Sequence, residues 1–152
     1  MSLLSYTVEA VIDRSRVEVF EFCSDLRNER EWNPTLEYVE KITDGPVGVG
    51  TRYAAKWSNT GRIIVEVVGF IPPRMWKTRS GAGGLMITAQ GRLADLAPGT
   101  RYETTVEVEA RGLARLYAPL AVIAMRRREP ENLQHIKDRI EAGASRSPRG
   151  RR

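Results

Sequence analysis

One run constrains what the rest of the chain can fold into. Gly112 to Ala142, GLARLYAPLAVIAMRRREPENLQHIKDRIEA, is long enough for a helix that spans a whole domain. Thirty or so residues rising about 1.5 Å each reach roughly 45 Å, and less if Pro130 bends the run. Such a helix needs a broad partner. Stepping about 100° per residue, Ala118, Val122, Met125, Leu133, Ile136 and Ile140 fall on one face, interrupted only by Glu129. Leu113, Leu116, Leu120 and Ile123 lie roughly opposite and stop at Arg126-Arg127-Arg128. The first half is thus apolar nearly all round and the second half amphipathic. Either other elements bury both faces, or one face meets a ligand, a twin subunit or a membrane surface.

What precedes the helix reads mostly as strands. Leu3 to Ile12 alternates as a first strand, and Asp13 or Ser15 offers an N-cap for a helix over Arg16 to Leu26. A second short helical turn over Asn28 to Trp32 ends at Asn33-Pro34, because the residue before proline is pushed out of the helical region. Six further strands are predicted at Leu36–Thr43, Thr51–Ser58, Arg62–Ile71, Arg74–Ser80, Leu85–Leu93 and Thr100–Ala110, separated by Gly- and Pro-rich turns. In the last of these, Tyr102, Thr104, Val106 and Val108 alternate with charged or polar neighbours, so one face is buried and the other wet. Short turns between successive strands favour an antiparallel meander, and helices on one side give an α+β domain. A sheet of about seven strands coils, so its concave face can wrap the long helix.

The net charge of +5 in 152 residues suggests nucleic acid until it is located. Four arginines, Arg146, Arg149, Arg151 and Arg152, lie in the last seven residues, which leaves about +1 for the remainder. The expected organisation is one domain over 1–142 and a disordered basic tail over 143–152. That tail has no interleaved aromatic residues, which puts nucleic-acid binding last among the partners considered. The start MSLLSYTVEAVID has neither a basic leader nor a long apolar core, so a cytoplasmic protein is expected. With Cys23 as the single cysteine, no internal disulfide can form.

Glu21-Phe22-Cys23-Ser24-Asp25-Leu26 followed by Glu31-Trp32-Asn33-Pro34 resembles the polyketide cyclase/dehydrase and lipid-transport group, the START-like helix-grip (SRPBCC) superfamily. The Gly48/Gly50 turn, Phe70-Ile71-Pro72-Pro73-Arg74 between two strands, and the Leu133, Ile136-Lys137, Ile140-Glu141 ending of the last helix add to the resemblance, which covers about residues 3 to 142. It implies a deep, largely apolar cavity between a curved sheet and the C-terminal helix. Superfamily members bind lipids, sterols, quinones, polyketides or plant hormones there, and only some are enzymes. Sites are not shared across the superfamily, so the resemblance carries over no catalytic residue.

One histidine and one cysteine are too few for a zinc or redox-metal site, and no cofactor is expected. His135 would have to carry Ser-His-Asp chemistry alone, and it neighbours the amphipathic stripe of the last helix. Gly81-Ala82-Gly83-Gly84 lacks the Lys-Ser/Thr of a phosphate loop and reads as a hairpin connection. The candidate site is therefore a set of aromatic and hydroxyl residues that share strand and helix faces. Tyr53 and Trp57 form one pair, Trp76 and Thr78 a second, Tyr102 and Thr104 a third, and Phe22 and Trp32 close one end. Ala118, Val122 and Met125 face inward if the helix runs straight through Pro130; a strong bend would turn Leu113, Leu116 and Leu120 inward instead. Such walls suit an apolar ligand carrying one or two oxygens.

Three functions follow. The first is a non-catalytic binding or carrier protein for a lipid, quinone or polyketide-like molecule. The second is a cyclase or dehydratase in which Tyr53, Tyr102 or Thr104 handles a proton. The third is a partner- or membrane-surface module, or a homodimer, using the doubly apolar first half of the last helix.

Overall fold

Alternation along each strand is what builds the sheet. The computed structural model describes residues 2–145, so most of the expected basic tail lies outside the described residues. Strands β1 (Ser2–Ile12), β2 (Leu36–Lys41), β3 (Arg52–Trp57), β4 (Arg62–Ile71), β5 (Met75–Ala82), β6 (Leu85–Leu96) and β7 (Gly99–Ala110) form one antiparallel sheet in the order β1-β7-β6-β5-β4-β3-β2. The meander from β2 to β7 is closed by β1, whose whole length pairs with β7 from Ser2 opposite Ala110 to Ile12 opposite Thr100. Every second residue of β7 from Thr100 to Ala110 is buried. The opposite face carries cross-strand ion pairs such as Arg101 with Glu9 at 3.7 Å and Arg52 with Glu66 at 3.6 Å.

Between β1 and β2 the chain makes α1 (Arg16–Cys23) and then a 3-10 turn over Leu26–Glu31. Ser15 is the N-cap of α1: its Oγ accepts from the Glu18 amide at 3.3 Å and donates to the Glu18 carboxylate at 3.0 Å. The second of the two short helices expected from the sequence is thus a 3-10 turn. Its N-cap is Asp25, whose carboxylate accepts from the Arg27 amide at 3.0 Å and from its guanidinium.

The long helix α2 spans Ala114–Ser145 without interruption, with Pro119 and Pro130 both inside it. Its buried residues are Ala114, Ala118, Val122, Leu133, Ile136 and Ile140, with Met125 and Glu129 partly buried in the same row. These steps of three and four residues keep one face on the sheet through both prolines. The straight register therefore holds: Ala118, Val122 and Met125 face inward, whereas Leu113, Leu116 and Leu120 are 70–82% exposed.

The helix lies along β1 and β7, α1 packs on β6 and β7, and the 3-10 turn covers β2. Where α1 and the second half of α2 converge, Ile12, Val19, Phe20, Trp76, Leu93, Tyr102, Leu133, Ile136 and Ile140 form the main core. The ring of Trp76 lies edge-on to Phe20 and to Tyr102, each at 5.6 Å, and Phe20 meets Phe70 at 5.2 Å. This packing depends on Gly91, which sits opposite Trp76 in the β5–β6 register. A Cβ at Gly91 would stand 2.2 Å from the Trp76 ring.

Gly91→Ala forces that ring out of a cluster shared by α1, α2 and the sheet. The substitution is expected to cost about 1–3 kcal/mol, seen as a melting temperature lower by roughly 3–10 °C in thermal unfolding followed by circular dichroism. An unchanged melting temperature would show that the core does not depend on this contact.

Candidate functional site

The inner faces of the central strands mix apolar side chains with two hydroxyls. On β5 the inward residues are Trp76, Thr78 and Ser80, and on β6 they are Leu85, Ile87, Ala89, Gly91 and Leu93. Trp76, Gly91 and Leu93 are buried beneath α1, but Thr78, Ser80, Ile87 and Ala89 keep partial contact with solvent. They face the helix side of the sheet, where α2 reaches mainly β1 and β7. Partial wetting of inward-facing residues shows that this part of the inner face is incompletely covered.

Two carboxylates belong to this interior, and neither was singled out as a site residue from the sequence. Glu29, in the 3-10 turn, accepts from Trp57 Nε1 at 2.7 Å and from the Asn33 side-chain amide at 3.1 Å. Burial pushes its pKa up to about 6, the bonds from Trp57 and Asn33 oppose this, and the charge of Glu129 adds to it. Glu29 nevertheless retains some exposed surface. Its carboxyl is densely surrounded, and the bonds from Trp57 and Asn33 fix its direction. Glu129, on the inward row of α2, accepts from the Tyr6 hydroxyl at 3.2 Å. Burial raises its pKa as well, opposed by that bond. The Tyr6 phenol is in turn driven above its ordinary value by burial and then by Glu129.

The residues predicted from the sequence divide between three settings. Trp57 touches the Glu29 carboxylate directly, and Thr78 lies on the partly wet inner face. Thr104 is buried on the inner face of β7, with its hydroxyl beside the Tyr102 phenol. Tyr102, two residues before it, sits in the main core; burial drives its phenol up, Cys23 adds to the shift, and the bond with Thr104 opposes it. Trp76 belongs to the same core, with Phe22 and Trp32 packed against it as partly buried residues. Tyr53 is fully buried, and its hydroxyl is paired with Asp25 at 3.3 Å. Burial alone would raise the Asp25 carboxyl, but the bonds from Arg27 and Tyr53 hold it below its usual value. Tyr53 thus secures the cap of the 3-10 turn that carries Glu29. Ala118 packs with Ala110 and Ala114, and Val122 and Met125 pack with Tyr6, Val106 and Val108.

A separate groove of about 360 Å³ opens at the free edge of β1, lined by Val8, Glu9, Ala10, Pro130, Leu133, Gln134 and Lys137. None of the residues predicted from the sequence lines it. Among the described residues no cluster of three or more His, Cys, Asp or Glu side chains is placed to hold a metal ion. His135 is half-exposed beside Glu131, at 4.0 Å.

Because its folded pKa of about 6 lies above the value of 4.5 for a free glutamate, Glu29 binds a proton more tightly in the native state than in the unfolded chain. Its ionisation therefore lowers stability as pH rises from 4.5 to 6. Glu29→Gln keeps an acceptor for Trp57 and removes that charge. Relative to the wild type, the variant is expected to gain about 1–2 kcal/mol at pH 8 over its standing at pH 4, measured by urea unfolding. The same stability difference at both pH values would show that the carboxyl is not in the surroundings described.

Comparison with known proteins agrees with this architecture. A sequence profile described as polyketide cyclase / dehydrase and lipid transport matches residues 4–141. The crystal structure of TTHA0849 from Thermus thermophilus superposes with a TM-score of 0.75 at 18% identity, covering 92% of this chain and 99% of that one. Ara h 8.0201 gives 0.74 at 12% identity, covering 93% and 99%. The di-domain ARO/CYC protein BexL from the BE-7585A biosynthetic pathway gives 0.71 at 18% identity, covering 90% of this chain and 49% of that one. These likenesses show the helix-grip fold. An alignment covering 59% of this chain is 30% identical to a protein of Paraburkholderia phymatum named fructose-1,6-bisphosphatase class 1 3. The match spans about a third of that protein, 32% of its length, and the name describes that protein.

Proposed function

Since the chain belongs to the polyketide cyclase/dehydrase and lipid transport family, we propose that it binds a hydrophobic small molecule of lipid, quinone or polyketide type in a hollow beside α2. The observation that carries this reading is the pairing of an inner sheet face left partly wet at Thr78, Ser80, Ile87 and Ala89 with a carboxyl, Glu29, that is surrounded yet still touched by solvent. An apolar molecule displaces water from such a face favourably, at roughly 25 cal/mol per Å² of apolar surface covered. Trp57, Glu29, Glu129 and Thr104 supply the few polar contacts that would orient an oxygen-bearing ligand.

A neutral dye such as N-phenyl-1-naphthylamine reports on the hollow by its fluorescence. Ser80→Trp and Thr78→Trp fill the space from the sheet side and are expected to weaken dye binding about tenfold or more, which is about 1.4 kcal/mol. The melting temperature should change little. Dye affinity that ignores both substitutions would refute binding in the hollow. Native mass spectrometry after mild purification identifies any ligand retained from the host.

Glu29 also supports a second reading, a cyclase or dehydratase. A carboxyl with a pKa of about 6 exchanges protons near neutral pH, as a general acid or base must. With an aromatic polyketide as substrate, this reading expects a rate limb near pH 6 that Glu29→Gln abolishes. Turnover unaffected by the substitution would remove Glu29 from the chemistry.

A further inference from the structure

The first half of α2 leaves an apolar ridge in water. Leu113, Leu116, Leu120 and Ile123 are 82%, 79%, 70% and 49% exposed, and Tyr117 is 43% exposed. At about 100° per residue these five fall on one stripe of the helix, opposite the buried row of Ala114, Ala118 and Val122. Ala124 is exposed on the same stripe. The hollow does not account for these side chains, which point away from it.

The charges around the ridge are all of one sign. Arg111, Arg115, Arg126, Arg127 and Arg128 are exposed, and the sequence from Arg111 to Arg128 contains no acidic residue. By the same angular step Arg115 and Arg126 border one side of the stripe, Arg128 borders the other, and Arg127 closes its C-terminal end. A second copy of the chain is a poor cover for this face. Two such helices pressed together bring arginine against arginine whether they run parallel or antiparallel. An anionic lipid surface instead accepts the leucines among its acyl chains and the guanidinium groups among its phosphates. A straight ridge also suits a deformable interface better than a preformed groove. No helix among the described residues is long and apolar enough to cross a membrane, so the contact is one of lying in the interface.

We propose that the Leu113–Ile123 face of α2 docks the protein on anionic membranes, with Arg115 and Arg126 to Arg128 engaging lipid phosphates. Tyr117 links this face to the body of the protein, because its hydroxyl donates to the Gly83 carbonyl at the tip of the β5–β6 hairpin. The proposal concerns a surface outside the hollow and stands whether or not the hollow binds a ligand.

Co-sedimentation with vesicles of phosphatidylcholine alone, and of phosphatidylcholine mixed with phosphatidylglycerol, tests it. Binding is expected to the mixed vesicles at low salt and to weaken as salt rises. The double variant Leu116→Asp/Leu120→Asp changes only exposed positions and should lose binding about tenfold or more. A Leu120→Trp variant should shift its emission to the blue when mixed vesicles are added. Dye binding in the absence of vesicles, measured on the same proteins, should be unchanged, so that failure of docking and failure of the hollow are read separately. Three results would overturn the proposal. One is absence of binding to mixed vesicles at low salt, and another is binding that Leu116→Asp/Leu120→Asp leaves intact. The third is a light-scattering mass of twice the monomer that this double variant reduces to one, which would assign the ridge to a second copy.

Discussion

A helix about 10 Å across can cover about two strands spaced roughly 4.8 Å apart, and here one long helix faces a sheet of seven. Most of the architecture follows from that mismatch. The helix settles where the sheet is closed by β1, on β1 and β7, and its second half is fixed there by Leu133, Ile136 and Ile140. The short segments between β1 and β2 cover part of what remains: α1 sits over β6 and β7, and the 3-10 turn sits over β2. The inner faces of β5 and the first part of β6 are left with partial cover, occupied by the hydroxyls of Thr78 and Ser80 and the apolar side chains of Leu85, Ile87 and Ala89. The proposed hollow is thus a matter of coverage. A larger α1 or a second long helix would be needed to remove it.

Sequence reasoning reached those features that have a period. The inward row of α2 was legible because steps of three and four residues survive Pro119 and Pro130, and β7 was legible because its alternation is unbroken. Features that depend on strand register were not legible. That Gly91 makes room for Trp76 follows from their being opposite one another in the β5–β6 pairing, which no local pattern encodes. Tyr53 was assigned a face correctly, yet its partner, Asp25, is 28 residues away. The two carboxylates escaped for different reasons. Glu29 lies in a 3-10 turn, where there is no amphipathic period to show which way a side chain points. Glu129 was visible as a break in an apolar row, and a charge in such a row is a signal worth following, since burying it costs free energy unless something binds it.

Those carboxylates set a tension between holding the fold and serving the hollow. Each is placed by a neutral donor, Trp57 for Glu29 and Tyr6 for Glu129, with no basic side chain among the causes of either shift. A paired lysine or arginine would have kept them ionised and stable. Without one, both hold a proton more tightly than a free glutamate, Glu29 up to a pKa of about 6, and the protein bears the cost of their ionisation in its native state.

The residues that hold the fold and those that line the hollow are largely different. Phe20, Trp76, Gly91, Tyr102 and Leu133 lock the helices to the sheet, whereas Thr78 and Ser80 lie on the inner face outside the core clusters, and Ile87 and Ala89 only border the one that contains Val122. Exchange of a hydroxyl for a methyl, or of a small side chain for a larger one, at the second set reshapes the wall while the first set keeps its contacts. Under mutational drift the shape of the interior is therefore free to diverge faster than the scaffold, so a new ligand can be accommodated without rebuilding the protein. Proteins sharing 12–18% of their residues with this chain nonetheless share its fold, as that separation of roles would allow.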